Sequence, residues 1–179
     1  NKLIFISTPF DMDSLSFLKK IVDIIKISSG DNNFQELITG AIKSNKELII
    51  STGLTSLIEI KDLKKVIEKK NYSKNTYFLH CVANYPVKPE NANLNFILKL
   101  KNLFKDNIGY SDHTLGIDSC IIAFLLGSTV IEKHFTLDKS FSSFRDHAIS
   151  ADPKDMSLLV KKIKEYRILL DDKKNDYLR

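Results

Sequence analysis

Short β-type apolar runs alternate with longer amphipathic stretches along this chain, six times over, with no hairpin signal between the runs. The runs are Leu3 to Phe10, Ile24 to Gly30, Glu47 to Gly53, Thr76 to Val82, Asn107 to Asp112 and Thr129 to His134. Helical spacing covers Ser14 to Ile21, Phe34 to Ser44, Ser56 to Lys69, Leu94 to Phe104 and Gly116 to Leu126. A final helix is predicted from Pro153 to Leu170, where Asp152 can cap and Pro153 suits the first turn. Six βα units without hairpins imply parallel strands joined by right-handed crossovers. A barrel and a doubly wound sheet both satisfy that pattern. A complete eight-stranded barrel takes about 250 residues, so 179 residues fall short by roughly two βα units. The first run begins at once after Asn1, with no leader, and the chain reads as an excised piece. The expectation is one partial (β/α)8 TIM barrel over residues 1–179, missing its first two strands.

A hydrophobic content of 43% supports a packed core, and the longest apolar stretch, around Cys120 to Leu126, is too short to span a membrane. Two cysteines, Cys81 and Cys120, make neither a disulfide framework nor a metal-type pair, so a reducing cytoplasm is the expected home. The net charge of +5 comes largely from lysines mixed with Asp and Glu in Lys61 to Lys74 and Lys161 to Lys174, which reads as solvated helix face. Few aromatics interleave with them, so nucleic acid is not an expected partner, whereas a small anionic substrate fits the charge.

Polar or small residues cluster at the end of each of the six strands, and parallel α/β folds collect their chemistry at the carboxyl ends of strands. Hydroxyls, glycine-freed N–H groups and lysines gathered on one rim suit phosphate or carboxylate binding. His113 in Gly109-Tyr-Ser-Asp-His-Thr and His134 in Val130-Ile-Glu-Lys-His-Phe-Thr stand at successive strand ends. One such histidine alone reads best as a core residue bonded to a carbonyl, but two on adjacent strand ends favour a metal site with positions left for water and a substrate oxygen. Lys26 reads as an anion ligand or a buried Schiff-base lysine, against a strand-end lysine reaching solvent. Asp31 after Gly30 is a general acid or base, or an ordinary turn residue. Cys81 and His80 point to opposite faces of a strand, which makes Cys81 structural rather than half of a dyad. Glu132 shares a face with His134 and reads as orienting the site, while Lys133 points away from both.

These strand-end segments, in this order, resemble the sialic acid synthase family, which condenses phosphoenolpyruvate with an N-acylated amino sugar. The resemblance rests on Ser7-Thr-Pro-Phe-Asp, Lys26-Ile-Ser-Ser-Gly-Asp, Ile50-Ser-Thr-Gly-Leu, His80-Cys-Val-Ala-Asn-Tyr-Pro, Gly109-Tyr-Ser-Asp-His-Thr-Leu-Gly-Ile and Val130-Ile-Glu-Lys-His-Phe-Thr-Leu-Asp. Asp146-His147-Ala148 with Ser150 adds a seventh segment. The resemblance implies the third to eighth strands of a TIM barrel, without the first two βα units and a C-terminal antifreeze-like domain. It implies that His113 and His134 hold a divalent ion, Mn2+ first and Mg2+ or Co2+ as alternatives, which grips the sugar aldehyde. It further implies that Lys26, Ser29, Ser51, Tyr85 and Ser111 bind phosphoenolpyruvate, that Asp146 contacts the sugar, and that Asp31 serves as the acid–base residue. Ala83 stands where some members carry an amide or hydroxyl, and Asp31 where many carry Glu.

The implied product is N-acetylneuraminic acid, made from N-acetylmannosamine, with legionaminic or pseudaminic acid as alternatives. The implied assembly is a homodimer. From a different class, a truncated barrel of this kind fits a sugar- or anion-binding module without turnover.

Overall fold

A computed structural model of the chain describes residues 3–143 and 145–170. Six strands, β1 (Ile6–Ser7), β2 (Ile24–Ile27), β3 (Glu47–Ser51), β4 (Thr76–Cys81), β5 (Ile108–Asp112) and β6 (Val130–Lys133), form one parallel sheet in sequential order. The helices are α1 (Met12–Leu18), α2 (Gln35–Lys43), α3 (Leu57–Lys69), α4 (Phe96–Phe104), α5 (Asp118–Leu125), α6 (Arg145–Ile149) and α7 (Pro153–Leu169).

Strand order decides between the two architectures that the pattern left open. A doubly wound sheet reverses its order at a switch point, whereas here each strand pairs beside its predecessor. The sheet also curls. Four strand spacings separate β2 from β6, about 19 Å in a flat sheet, yet Lys26 Nζ lies 3.6 Å from Glu132 Oε2. Curvature has brought the two side chains together across an interior, and the six strands are successive staves of an incomplete (β/α)8 barrel.

Strand parity sorts the residues into two layers. Ile25, Ile27, Leu48, Ile50 and Phe78 pack outward on Leu15 and Leu18 of α1, Leu37 and Ala41 of α2, and Leu63 and Ile67 of α3. Ile108 and Tyr110 pack on Ile97 and Leu100 of α4 and Ala123 of α5. Each fully buried Leu or Ile stabilises the fold by about 1.5–3 kcal/mol. The opposite parity faces the interior, where Gly109 makes room: a Cβ built there would lie 2.4 Å from both Leu79 Cδ2 and the Val130 carbonyl oxygen.

Several ends differ from the periodicity. Helix α1 begins at Met12 rather than Ser14, because Asp11 is its cap and accepts the Ser14 N–H at 2.6 Å. It stops at Leu18 in a tight turn that leaves Ile21 exposed. Strand β1 is short, with only Ile6 and Ser7 paired, while Leu3, Ile4 and Phe5 stay exposed. The single-turn α6 was not expected, since five residues are too few to show a period. Helix α7 starts as predicted, Asp152 accepting from the N–H groups of Lys154 and Asp155 at 2.8 and 2.9 Å. On α3 the lysines do pair along a solvated face, Lys64 with Glu68 and Lys65 with Asp62. Among the described residues no helix is long and apolar enough to cross a membrane.

Candidate active site

The carboxyl ends of the strands surround a cavity of about 390 Å³. Its walls include Lys26 of β2 with Ser28, Ser29 and Gly30 after it, Ser51 at the end of β3, and Cys81 at the end of β4 with Ala83 and Tyr85 after it. Ser111 of β5 with His113 just after it, and Glu132 of β6 with His134 just after it, close the far side. A larger hollow of about 720 Å³ lies outside the barrel between α1 and α2, lined by helix residues such as Leu15, Lys19 and Thr39. No strand end reaches it, and the residues that the strand-end motifs nominate gather around the smaller one.

Lys26 anchors one half of the mouth. Its ammonium donates to Ser51 Oγ at 2.8 Å and to its neighbour's carbonyl, Ile27 O, at 3.3 Å, and it faces Glu132. Glu132 in turn accepts from Ser111 Oγ at 2.6 Å. Ser29 Oγ accepts the Gly53 N–H at 2.9 Å, tying the β2 and β3 loops together, and a Cβ on Gly53 would lie 3.0 Å from that oxygen. An ammonium, three hydroxyls and close-lying backbone thus converge on one space, the donor set an anion needs.

The two histidines form the other half. Their ring centroids are 5.3 Å apart at an interplanar angle of 62°. With metal–nitrogen bonds of about 2.1 Å, two rings so spaced can share one ion. His113 Nδ1 lies 2.8 Å from the Val82 carbonyl oxygen, which can only accept, so this nitrogen carries the proton and Nε2 keeps its lone pair for a metal. Burial holds the His113 imidazole below its ordinary value, against the pull of that carbonyl, and the neutral ring is the ligating form. Cys81 Sγ lies 3.8 Å from His113 Nδ1, on the side away from the free nitrogen, and burial pushes its thiol up. Among the described residues no group of three or more His, Cys, Asp or Glu is arranged to hold a metal ion. The residues present that would suit an ion are the two imidazoles of His113 and His134, with their rings 5.3 Å apart. Tyr85 flanks the pair, its ring 4.1 Å from that of His113 and 5.8 Å from that of His134.

The sequence profile of the NeuB family matches residues 1–175. The chain belongs to the NeuB family. A protein of Methanocaldococcus jannaschii described as uncharacterized is 44% identical over 163 residues, 90% of this chain and 48% of its own length. The N,N'-diacetyllegionaminic acid synthase of Campylobacter jejuni is 39% identical over 170 residues, 94% of this chain and 51% of its own. This NeuB-family chain thus spans about half the length of the curated relatives it matches. Its fold resembles the crystal structure of N-acetylneuraminic acid synthetase from Leptospira borgpetersenii, solved with citrate. The TM-score is 0.87 at 37% identity, over 94% of this chain and 59% of that one.

Of the residues that the motifs nominated, this NeuB-family barrel gathers Lys26, Ser29, Ser51, Tyr85, Ser111, His113 and His134 around one cavity. Asp31 is not among the lining residues; its carboxylate accepts from Ser28 Oγ, which is. Asp146 sits on α6, outside the lining, where its backbone carbonyl accepts from Ser150 Oγ at 2.5 Å. Ala83 lines the mouth, and Cys81 does too, a position that strand parity alone could have found. His80 takes the outer face and bonds the Ala92 carbonyl at 2.9 Å.

Behind the mouth lies a second polar cluster that the motifs did not single out. Asp112 Oδ1 accepts from Tyr110 Oη at 3.0 Å and from the Thr114 N–H at 2.8 Å. Its Oδ2 accepts from Lys133 Nζ at 2.7 Å and from Cys120 Sγ at 3.3 Å. Burial, and after it the Asp112 charge, push the Tyr110 phenol and the Cys120 thiol far up, so both remain donors.

Proposed function

We propose that the complete protein condenses phosphoenolpyruvate with N-acetylmannosamine, or a related N-acyl hexosamine, to give N-acetylneuraminic acid or a close nonulosonic acid, plus phosphate. The observation that carries this reading is the meeting of a lysine-centred anion cradle, Lys26 with Ser51 and Ser111, and a histidine pair, His113 and His134, around one barrel mouth. Relatives that make N,N'-diacetyllegionaminic acid and N-acetylneuraminic acid support it.

In this reading Lys26, Ser29, Ser51 and Ser111 hold the phosphate and carboxylate of phosphoenolpyruvate, with Tyr85 against it, and Asp146 contacts the sugar. A divalent ion, manganese first, bound by His113 and His134 supplies Lewis-acid polarisation of the sugar aldehyde. Carbon C3 of phosphoenolpyruvate bonds to the aldehyde carbon, whose oxygen takes up a proton. Water adds to C2 and loses a proton, and the C2–oxygen bond to phosphate then breaks. Asp31, hydrogen-bonded to Ser28 beside the cradle, moves a proton to the carbonyl oxygen or from that water. The enzyme works in the cytoplasm as a homodimer.

The test is phosphate release and product mass with the complete protein, manganese, phosphoenolpyruvate and a panel of N-acyl hexosamines. Turnover with one of them is expected, with His113→Ala and His134→Ala each losing more than about 100-fold. Wild-type rates in both variants would remove the metal from the reading, and no phosphate release with any sugar would end it. The panel separates N-acetylneuraminic acid from legionaminic and pseudaminic acid.

A further inference from the structure

The ends of β5 and β6 are joined by a ladder of three rungs. Ser111 pairs with Glu132 inside the mouth, Asp112 with Lys133 outside it, and His113 stands against His134 inside again. The middle rung is built unlike the other two. Asp112 and Lys133 are nearly solvent-free, with side-chain exposures of 0% and 2%, and all four contacts of the carboxylate are made by protein groups. A buried ion pair of this kind is seldom more stable than an apolar pair of equal volume, so stability does not account for it.

Its geometry does. Lys133 Nζ donates to Asp112 Oδ2 and also, at 2.6 Å, to the carbonyl oxygen of Thr114, while the Thr114 N–H returns to Asp112 Oδ1. One ammonium on β6 therefore grips the residues on both sides of His113, and Lys133 is itself the neighbour of His134. The remaining freedom of the two histidines is taken up from elsewhere: the Val87 N–H donates to the His113 carbonyl at 2.9 Å and the Ala151 N–H to the His134 carbonyl at 2.7 Å.

We infer that Asp112 and Lys133 are positioning residues, a buried clamp that sets the spacing of His113 and His134 and so the affinity of the metal they bind. This rests on the metal-bearing reading proposed above. Neither residue lines the cavity; they act through the backbone of residues 113 and 134.

The test uses the complete, substrate-free protein with added Mn2+, its affinity read from the paramagnetic resonance of the free ion, and with Co2+, its coordination read from visible absorption. Three variants are compared: the near-isosteric Asp112→Asn, Lys133→Met, and the double variant Asp112→Leu with Lys133→Met. The double variant removes both charges together and is expected to recover thermal stability to near the wild-type level. Its Mn2+ affinity is nevertheless expected to stay roughly 10- to 100-fold weaker, with an altered Co2+ spectrum, and Asp112→Asn to weaken it in the same direction. Phosphoenolpyruvate affinity, set by Lys26, should move far less. A merely structural pair would restore metal affinity along with stability.

Any folded variant lacking the ion pair that binds Mn2+ as the wild type does would overturn the clamp and leave the function standing. If no variant folds, the pair is a stability element and the inference falls. If the wild-type protein takes up neither ion, the clamp falls and the metal leaves the functional reading, which phosphate release then tests by itself.

Discussion

Two lysines in this chain meet carboxylates in opposite surroundings. Lys26 and Glu132 face each other across the mouth at 3.6 Å with side-chain exposures of 12% and 42%, whereas Lys133 and Asp112 close to 2.7 Å in a dry layer behind the sheet. In the mouth water screens the pair, and each member already holds a hydroxyl, Ser51 or Ser111, that remains when the two part. Behind the sheet nothing can replace a lost partner. The same chemical pair thus makes an exchangeable contact in one place and a fixed dimension in the other: under the proposed function Lys26 would have to let go of its carboxylate to take an anion, and the clamp must not.

This contrast can be broken by measurement on the complete protein. The largest effect should be Lys133→Met, which strands the Asp112 charge and should remove about 3–5 kcal/mol from the unfolding free energy, read as a fall in the urea midpoint. A loss below 1 kcal/mol would mean that the dry pair is no tighter than the wet one. Lys26→Met should do the reverse. Its affinity for phosphoenolpyruvate should drop by about 1.5–3 kcal/mol, roughly 10- to 150-fold by calorimetry, while the unfolding free energy from urea holds to within about 1 kcal/mol.

The dry layer should also carry a pH signature. His80 packs beside Tyr110 there, and burial holds its imidazole below the ordinary histidine value of about 6.5. The native ring then stays neutral while the unfolded chain takes up a proton as pH falls through about 6.5, so its contribution is whole above that pH and lost toward acid. Stability should fall by at most about 1.4 kcal/mol per pH unit below 6.5 on this account, and His80→Gln should flatten the slope. An unchanged slope would assign the acid sensitivity elsewhere.

The smallest effect belongs to Glu132→Gln. It keeps an acceptor for Ser111 and removes the countercharge from Lys26, and inorganic phosphate should bind tighter by up to about 1 kcal/mol, or fivefold. Weaker binding would make Glu132 an organiser of the cradle rather than a competitor for it.

Much of this arrangement is readable from residues and their spacing. Parity alone puts Glu132 and His134 on one face of β6 and Lys133 on the other, and puts Cys81 opposite His80. The partners of those residues are another matter, since Asp112 meets Lys133 only through the register of β5 on β6, and Lys26 meets Glu132 only because the sheet curls. Neither register nor curvature is a local property. The helix ends went astray for the converse reason, a local signal misread: Ser14 is the third residue of α1, answering a cap at Asp11, and not its start. For Asp31 and Asp146 the motifs say more than the cavity does, as both carboxylate-bearing residues stand outside its lining.

The ladder at the ends of β5 and β6 has a bearing on how such a chain can change over time. Because successive side chains alternate between mouth and dry layer, adding or deleting one residue within 111–113 or 132–134 would carry the imidazole into the dry layer and an ion-pair partner into the mouth. Both layers would fail in a single genetic event, and no point substitution could repair them one at a time. The length of these two segments is therefore locked, and insertions and deletions that leave the site working have to accumulate in the loops and helices beyond them.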